Sequence, residues 1–479
     1  MNTPSYSRAV YTPSDATDCR GNAFIEALPP LPHEPRELAD MLGNTYVSDP
    51  GADAVARDEL ADRIASSSFI CLPRNVRLFR AVDALLREGY RLRPASASGP
   101  FRSFEEYQRR ARHRLQHLTA GHQGETAHQA SYLSLIGCHG SGKTYALRRI
   151  LSFYPQVIFH HTLGGKADPL QVVYLHISCG KGGTVRELCL EIIDALAGLT
   201  GQNLRALLGG PRPNAVFLRR IVQRLMAHYH VGLLVIDQLE NLMTGRTRRD
   251  ELFAFITSLA RRLDTPLLLV AATRVLNHAR RDGRVAGIFD RCQSFSWQRL
   301  TPGGRCYRSF LKAMWSQQPL ANDPGHVPRE FEQALYYYSQ GIVTHLVSLF
   351  VLSVKVALAQ NSCYLTPAHV RQSYELYFDE VRGKITALQD HDRSAFRRAQ
   401  SQTFSTEQFA QHCAMLSGKI RSLHGRPQLP GRAPRDCADA AGDGPGGRAE
   451  TAQPRMGRGC ARGTALPEAR GSARQRRGQ

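Results

Sequence analysis

The stretch SYLSLIGCHGSGKTYALRRI, residues 131–150, decides the fold. Its first seven residues are apolar enough for a buried strand, and the residues from Tyr145 onward have the apolar spacing of a helix. Between them, residues 137–144 match GxxxxGK[ST], the pattern of loops whose backbone N–H groups surround a phosphate. A glycine-rich turn without a ligand is the alternative, but the strand and the helix on either side disfavour it.

The loop residues contribute differently to holding a nucleotide. Glycines let the backbone curl around a phosphate, a lysine reaches the β- and γ-phosphates, and a hydroxyl completes the coordination of Mg²⁺. The N-terminus of the following helix adds a partial positive charge. We therefore expect ATP and Mg²⁺ as cofactors. The expected nucleotide-binding residues are Gly137, Gly140, Ser141, Gly142, Lys143 and Thr144.

Four more apolar runs follow the loop and alternate with helical segments. They are QVVYLHIS (171–178), VGLLVID (231–237), PLLLVAAT (266–273) and CQSFSW (292–297). Strands that alternate with helices favour a parallel sheet covered on both faces. With the run before the loop, the sequence predicts an α/β core built on a five-stranded parallel sheet.

The parts outside the sheet are predicted from composition and periodicity. The first 45 residues, rich in proline and turn formers, read as an extended arm, and helices follow it. After the sheet the pattern is helical to about Asp390, and beyond about Ser422 it is dominated by Gly, Pro, Ala and Arg, a composition typical of disorder. The expected organisation is an N-terminal arm and helices (1–120), the nucleotide-binding core (121–300), an α-helical lid (301–390) and a basic, largely disordered tail (391–479).

The charge of the chain indicates a polyanionic partner. Lys and Arg total 62 against 41 for Asp and Glu, so the formal net charge is +21 and the pI is about 9.9. The basic residues are dispersed, and no zinc finger or leucine zipper is present. Dispersed charge suits contacts to a nucleic-acid backbone rather than sequence-specific readout.

Cysteine usage and hydropathy bear on the compartment. The eleven cysteines include no CxxC pair and no Cys/His cluster at zinc-finger spacing, which favours a reducing, cytoplasmic setting. The N-terminus is polar, and the most apolar helical stretch is interrupted by Ser348, Ser353 and Lys355. We therefore expect a cytoplasmic protein with no secretory signal and no membrane partner.

A second functional group is expected about ninety residues after the loop, where Asp237 follows the apolar run LLVI. A buried strand that ends in this carboxylate would bring it to a Mg²⁺-bound water beside the phosphate loop. An aspartate at an ordinary strand–turn junction is the alternative. Given the loop upstream, the predicted metal ligands are Thr144 and Asp237.

The loop, the run LLVIDQLENL (233–242) and the strand ending at Thr273 together resemble an AAA+ ATPase. The flanking segments resemble the TnsC/TniB-type transposition ATPases: FIEALPPL (24–31), GYRLRP (89–94), YPQVIFHH (154–161) and LTPAHVRQSYELYFDEVRGKITAL (365–388). The likeness covers residues 22–390. It implies an AAA+ P-loop fold with an α-helical lid, and an ATP-dependent regulator of transposition. Origin-recognition and helicase-loading ATPases share this fold and remain alternatives.

The resemblance also assigns catalytic roles. It implies that Thr273 senses the γ-phosphate and that Arg291 completes a neighbouring subunit's site, with Arg281 and Arg284 as rivals. Where AAA+ proteins carry a glutamate that polarises water, this chain has Gln238, with Glu240 two positions later. The lid segment 341–345 carries no sensor arginine. We therefore expect slow ATP hydrolysis, with Glu240 either a relocated base or a surface residue.

The resemblance further implies the partners. Its members form helical assemblies on duplex DNA, so we expect a homo-oligomeric ring or filament that contacts transposase subunits and a target-selection protein. In the proteins that this chain resembles, the loop and helix after the second strand contact the DNA backbone. The resemblance therefore implies Lys181, Thr184 and Arg186 as DNA-binding residues, with an exposed turn and helix N-cap as the alternative. A nucleotide-switched scaffold or signalling ATPase without a DNA role is the rival function.

Overall fold

The structure of the chain is a computed structural model. It describes residues 4–14, 16–17, 19–49, 51–91, 132–160, 170–180, 183–208, 213–244, 252–256, 265–275, 293–320, 325–399 and 405–424. Residues 104–118, whose apolar spacing predicts one of the N-terminal helices, and the end of the predicted tail lie outside these residues.

The described strands form two sheets. Their bounds are β1 (Tyr6–Arg8), β2 (Tyr132–Gly137), β3 (Val157–Phe159), β4 (Leu170–Val172), β5 (Tyr174–Ser178), β6 (Leu233–Asp237), β7 (Leu267–Ala272) and β8 (Gln293–Trp297). The central sheet has the order β5–β6–β7–β2–β8, and all its strands are parallel. The predicted five-stranded parallel sheet is therefore confirmed.

The register of the central sheet brings the candidate residues to one edge. Gly137, at the end of β2, lies opposite Ala272 on β7 and Trp297 on β8. Asp237, at the end of β6, lies opposite Ser178 on β5. Because carboxyl ends of parallel strands meet at the same edge, the loop after β2 and the carboxylate after β6 are neighbours.

The second sheet was not predicted. It joins β1, β3 and β4, with β1 parallel and β4 antiparallel to β3. The run QVVYLHIS, predicted as one strand, is divided at Val173: β4 pairs with β3, whereas β5 pairs with β6 of the central sheet. A continuous apolar run gives no periodic signal at which such a change of partner could be read.

The described α-helices include α1 (Ala23–Glu26), α2 (Pro35–Leu42), α3 (Ala54–Ser67), α4 (Pro73–Arg91), α5 (Lys143–Leu151), α6 (Val185–Thr200), α7 (Ala215–His228), α8 (Arg305–Trp315), α9 (Arg329–Ser339), α10 (Val343–Ala359), α11 (Pro367–Tyr377), α12 (Asp379–Gln389), α13 (Arg393–Ala399) and α14 (Thr406–His424). We call α8–α12 the lid. In the described parts of the chain, no helix combines the length and the apolar character that crossing a membrane requires.

Helices cover both faces of the central sheet. Along β6, Leu234 and Ile236 pack into the cluster that contains α6 and α7, whereas Leu233 and Val235 pack into the cluster that contains α4 and α5. This alternation follows from the two-residue period of a strand. A strand buried on both faces is apolar at every position, as LLVI is.

The N-terminal segment is not an extended arm, which corrects the prediction. Phe24, Ile25 and Leu38 are buried in the core cluster that holds α4 and α5. Asn22 caps α1 by accepting a hydrogen bond from the backbone N–H of Phe24. The proline-rich composition hid two short helices whose few apolar residues are enough to pack against the chain's own core.

The two helices that precede the core belong to different clusters. Helix α3 buries Leu60, Ala61 and Ile64 among lid residues, whereas α4 buries Phe79 and its neighbours against the central sheet. The short connection between them, residues 68–72, therefore runs from the lid to the core. Periodicity predicts the helices but not this division, because it reports a buried face without its partner.

The stretch 391–424 is also folded where a tail was predicted. Helix α13 begins at Arg393, and α14 buries Cys413, Leu416 and Ile420 in the lid cluster. The structure thus corrects the predicted start of the tail. The apolar residues of α14 recur at helical spacing, and the composition typical of disorder begins only near Ser422, close to the end of this helix.

Candidate nucleotide-binding site

The loop between β2 and α5 has a backbone that only glycine suits at three positions. Gly140 and Gly142 have φ values of +76° and +86°, in the left-handed region. Gly137 needs to be small for another reason: a Cβ there would lie 1.8 Å from the carbonyl oxygen of Trp297. The indole Nε1–H of Trp297 also donates a 3.0 Å hydrogen bond to the carbonyl of Ser141 in the loop.

Lys143, the first residue of α5, folds its side chain back into the loop. Its Nζ donates hydrogen bonds to the carbonyl oxygens of Gly137 (3.0 Å) and Cys138 (2.9 Å). Burial lowers the pKa of Lys143, and the nearby Glu240 carboxylate acts in the opposite direction. A cation held inside the loop is positioned for phosphate oxygens.

Thr144 and Asp237 meet at the edge of the sheet, as the predicted metal site requires. The Thr144 hydroxyl donates to Asp237 Oδ2 at 2.9 Å, and His176 Nε2 lies 3.3 Å from the same oxygen. Burial acts to raise the pKa of Asp237, but His176, Thr144 and the Gln238 backbone N–H outweigh it, and the pKa is lowered.

A hydroxyl and an ionised carboxylate are ligands that Mg²⁺ accepts, so Thr144 and Asp237 fit the metal. Asp237 would act directly or through a bound water. When bound, Mg²⁺ neutralises charge on the nucleotide's phosphates.

The structure does not give Gln238 and Glu240 the shared strand face that would bring a relocated base beside Gln238. The strand ends at Asp237, and Gln238 has a φ of +59°, so strand alternation does not place residues 238 and 240 on one face. Its side chain is exposed, and its Oε1 accepts a 3.2 Å hydrogen bond from Asn241 Nδ2. A relocated base at Glu240 therefore gains no support from strand geometry.

Glu240 is not a surface residue, which corrects that alternative. It lies in the 3₁₀ helix Leu239–Thr244 and is buried. Its Oε2 accepts a 2.9 Å hydrogen bond from the backbone N–H of Ala272, and its Oε1 lies 3.4 Å from His139 Nε2. Glu240 thus ties the phosphate loop to the end of β7. Burial lowers the pKa of His139, although the Glu240 carboxylate opposes this.

The structure describes the predicted γ-phosphate sensor but not the arginines predicted to complete a neighbouring subunit's site. Thr273 directly follows β7, the strand between β6 and the loop strand β2. Arg291, Arg281 and Arg284 lie outside the described residues. Sequence reasoning missed Arg274, whose Nη2 donates to the Glu240 carbonyl at 3.4 Å.

The lid contacts the phosphate loop through the segment that lacks a sensor arginine. The backbone N–H and the hydroxyl of Thr344 both donate to the Gly140 carbonyl at 2.9 Å. One residue on, burial lowers the pKa of His345 to about 3, so this histidine is neutral at physiological pH. A contact between a lid threonine and a loop carbonyl leaves no motif in the sequence.

A lid lysine near the loop was also missed. Lys384, on α12, is buried, and burial lowers its pKa. Electrostatic interaction with Cys138 of the phosphate loop raises the pKa of Lys384, and interaction with Lys143 lowers it. A second lysine therefore interacts electrostatically with the loop. No spacing rule links residue 384 to residue 143, so only the fold reveals this relationship.

A cavity of about 320 Å³ lies beside the loop. Its walls come from the connection between α3 and α4, from the loop and α5, from the lid and from the start of α14. Among its lining residues are Phe69, Ile70, Ser141, Gly142, Tyr145, Val343, Thr344 and Phe409. Its predominantly apolar lining and its place next to a phosphate loop suit the base and ribose of a nucleotide.

Residues 126–278 match the protein family described as "AAA domain". The chain has the AAA+ P-loop fold. No curated protein matches the chain.

The chain is similar to several solved structures. A structure of Drosophila ORC bound to DNA is 11% identical over 84% of this chain and 85% of that chain, with a TM-score of 0.37. The Aeropyrum pernix ORC1 protein in complex with DNA is 14% identical over 61% and 77%, also with a TM-score of 0.37. Cdc6p from Pyrobaculum aerophilum is 14% identical over 71% and 90%, with the same score.

Segments around Phe24, Tyr90 and His160 meet beside the core. The ring centroid of Phe24 lies 5.7 Å from that of Tyr90 and 5.2 Å from that of His160. Asn22 Nδ2 donates to the Tyr90 carbonyl at 2.8 Å. These segments, far apart in sequence, therefore form one packed unit.

The proposed DNA contacts of the AAA+ core lie at the start of α6. Thr184 is its N-cap: its hydroxyl accepts a 3.1 Å hydrogen bond from the Glu187 backbone N–H, and the Glu187 side chain returns to the Thr184 backbone N–H. Arg186 is exposed, and Lys181 lies outside the described residues. The helix-cap alternative for Thr184 is thus present in the structure, and contact with DNA stays a prediction.

Proposed function

We propose that the chain is a slow Mg²⁺-dependent ATPase that binds duplex DNA as an oligomer and regulates transposition. The observation that carries the nucleotide part is the meeting of Lys143, Thr144 and Asp237 at one edge of the sheet. Lys143 supplies a cation for the phosphates, Thr144 a metal ligand and Asp237 a supporting carboxylate. A bound nucleoside triphosphate requires this set.

ATP is the proposed nucleotide because of the cavity beside the loop. Ile70 lines it, and the backbone N–H and C=O of Ile70 make no hydrogen bond to another described residue. Adenine presents a neighbouring donor and acceptor that such a backbone pair could satisfy. The apolar side chains of Phe69 and Tyr145 line the same cavity and suit an aromatic base.

Slow turnover follows from the groups around the expected position of the attacking water. Gln238 can orient water but cannot accept its proton at physiological pH. The Glu240 carboxylate is already engaged by the Ala272 backbone N–H and lies beside His139. We therefore propose that ATP is held as a long-lived switch and that Glu240 positions the loop.

The DNA and transposition parts rest on charge and on the resemblance. A net charge of +21 favours contacts to phosphates, whose neutralisation releases counterions. The packed unit of Phe24, Tyr90 and His160 brings together segments that resemble TnsC/TniB-type ATPases. The proposed partners are duplex DNA, further copies of this chain, transposase subunits and a target-selection protein.

The experiment is a DNA-binding titration of the full chain with ATP, with ADP and without nucleotide, at several salt concentrations. We expect multimers on duplex DNA of arbitrary sequence that require ATP, weaken steeply with salt and are lost in Lys143→Ala. Binding that ignores both ATP and this variant would contradict the switch. ATP binding without any DNA binding would favour the scaffold alternative.

The role in transposition has a separate test, which is the gene neighbourhood. We expect transposase genes beside the gene for this chain. A neighbourhood of replication-initiation genes would instead favour the origin-recognition alternative.

A further inference from the structure

The start of α14, the C-terminal helix of the described residues, forms part of the wall of the cavity beside the phosphate loop. We call this cavity the nucleoside cavity. Ser405, Thr406 and Phe409 line the cavity that Ser141 and Gly142 of the phosphate loop also line. These residues lie more than 250 positions beyond the loop, within the range 391–479 predicted to be the tail. The side chain of Phe409 is partly buried against the lid cluster.

The same helix is anchored near its centre by a buried charge cluster. Lys355 on α10 is 0% exposed, and its Nζ donates to Ser417 Oγ of α14 at 2.9 Å. It also binds Asp58 Oδ1 at 2.5 Å and lies 3.0 Å from Asp62 Oδ1, both on α3. Because a buried ammonium is costly without its partners, this cluster fixes α14 against both the lid and α3.

Apolar packing supports the same arrangement. Cys413, Leu416 and Ile420 of α14 are buried in the lid cluster. The helix therefore has a firmly packed centre, and its first turn lies at the nucleoside cavity. A segment of this kind can respond to a ligand at one end without detaching.

We propose that the C-terminal helix closes the nucleoside pocket, with Phe409 contacting the base or ribose of a bound adenine nucleotide. This inference rests on the nucleotide site proposed above and adds a wall that the loop and lid do not supply. By linkage, a nucleotide that binds more tightly to the docked first turn stabilises that turn to the same extent. The arginine-rich residues 425–479 continue directly from this helix in the sequence. Occupancy of the pocket therefore acts on the helix that precedes the basic segment in the sequence.

Amide hydrogen exchange on the full chain tests this inference, with ADP and inorganic tripolyphosphate as the two ligands. Tripolyphosphate offers the loop its phosphates but has no base or ribose. We expect both ligands to slow exchange in the loop and α5. We expect ADP alone to slow exchange at the start of α14, by several-fold over residues 407–411.

The outcomes separate the two proposals. Protection of the loop by ADP without any change at the start of α14 would overturn the inference and leave the nucleotide site intact. Equal protection of α14 by tripolyphosphate would also overturn it, because the effect would not come from the nucleoside. No protection in the loop by either ligand would instead contradict the proposed nucleotide site.

Point variants provide a second measurement. Phe409→Ala should weaken ADP binding about tenfold and leave tripolyphosphate binding unchanged, since only the nucleoside wall is altered. Phe409→Leu, which keeps apolar volume, should recover part of the loss. The matched control is Met415→Ala, on the same helix and 58% exposed, which should bind both ligands as the wild type does.

Retained exchange protection over residues 413–420 shows whether α14 is still docked in each variant. A docked Phe409→Ala chain with wild-type ADP affinity would overturn the inference. An undocked chain with wild-type ADP affinity would overturn it equally, since the pocket would then not need the helix.

Discussion

The hydroxyl of Thr144 donates a 2.9 Å hydrogen bond to Oδ2 of Asp237, joining the first turn of the loop helix to the end of a strand 93 residues away. Both oxygens lie at the carboxyl edge of a parallel sheet, where α/β folds bind their ligands. The pair is the smallest unit from which the proposed Mg²⁺–ATP site is built.

Asp237→Asn should weaken the binding of Mg²⁺ in the presence of ATP. The amide retains a hydrogen bond to Thr144 but loses the negative charge that supports the metal. We expect the apparent Mg²⁺ affinity in the presence of ATP to fall at least about tenfold, roughly 1.4 kcal/mol. A Mg²⁺ titration followed by a fluorescent ATP analogue measures this change. An unaltered titration curve would remove Asp237 from the metal site.

Gln238→Glu should raise ATP turnover at least about tenfold, because a carboxylate would then stand where water is expected and could accept its proton. Glu240→Gln should leave turnover within about twofold, since the amide oxygen can still accept from the Ala272 backbone N–H. Steady-state phosphate release on DNA measures both variants. Near-complete loss of turnover in Glu240→Gln would instead make Glu240 the base.

Lys355→Met should destabilise the protein by about 3–5 kcal/mol, because it leaves the Asp58 carboxylate buried without its cation. Chemical denaturation followed by circular dichroism measures the free energy of unfolding. Lys312→Met, on the exposed side of a lid helix, is the control and should change stability by less than about 0.5 kcal/mol. Equal stabilities of the two variants would contradict the buried cluster.

His345 should make the protein lose stability in mild acid. Burial lowers its pKa to about 3 in the folded chain, against about 6.5 when unfolded, so between these values the unfolded state binds the extra proton. The stability lost from this group grows as pH falls below 6.5 and reaches about 2 kcal/mol at pH 5.

His345→Leu removes that proton-binding group and keeps an apolar side chain at the buried position. The difference in unfolding free energy between pH 7 and pH 5 should therefore be about 2 kcal/mol smaller in this variant. If the two proteins showed the same pH dependence, His345 would not be the neutral buried group that its surroundings indicate.

The central sheet and the phosphate loop could be predicted because their signals are local. The loop motif, the strand before it and the helix after it lie within twenty consecutive residues, and apolar runs mark the other strands. The strand-end carboxylate could be predicted too, since parallel topology brings Asp237 to the edge where Thr144 lies.

Other parts of the site could not be predicted because they depend on packing between distant segments. Whether Glu240 faces solvent or Ala272 depends on the left-handed turn at Gln238, and a glutamine gives no sign of a positive φ. The position of Lys384 near the loop and of Phe409 at the cavity depends on how the lid and α14 dock. Composition misled at the N-terminus, where two short helices lie in a stretch rich in proline, whereas at the other end the predicted tail begins too early, since α14 ends at His424.

Equilibrium binding of ATP in the presence of Mg²⁺ to the wild type and to Lys143→Ala tests the central claim most directly. Lys143→Met is the control that keeps the buried side chain's bulk. We expect the wild type to bind, and both variants to lose about 100-fold or more in affinity, roughly 3 kcal/mol, which is the size of a lost charge-assisted contact to phosphate. Equal affinity of wild type and variants, with all three chains folded, would contradict the nucleotide site and the function proposed from it.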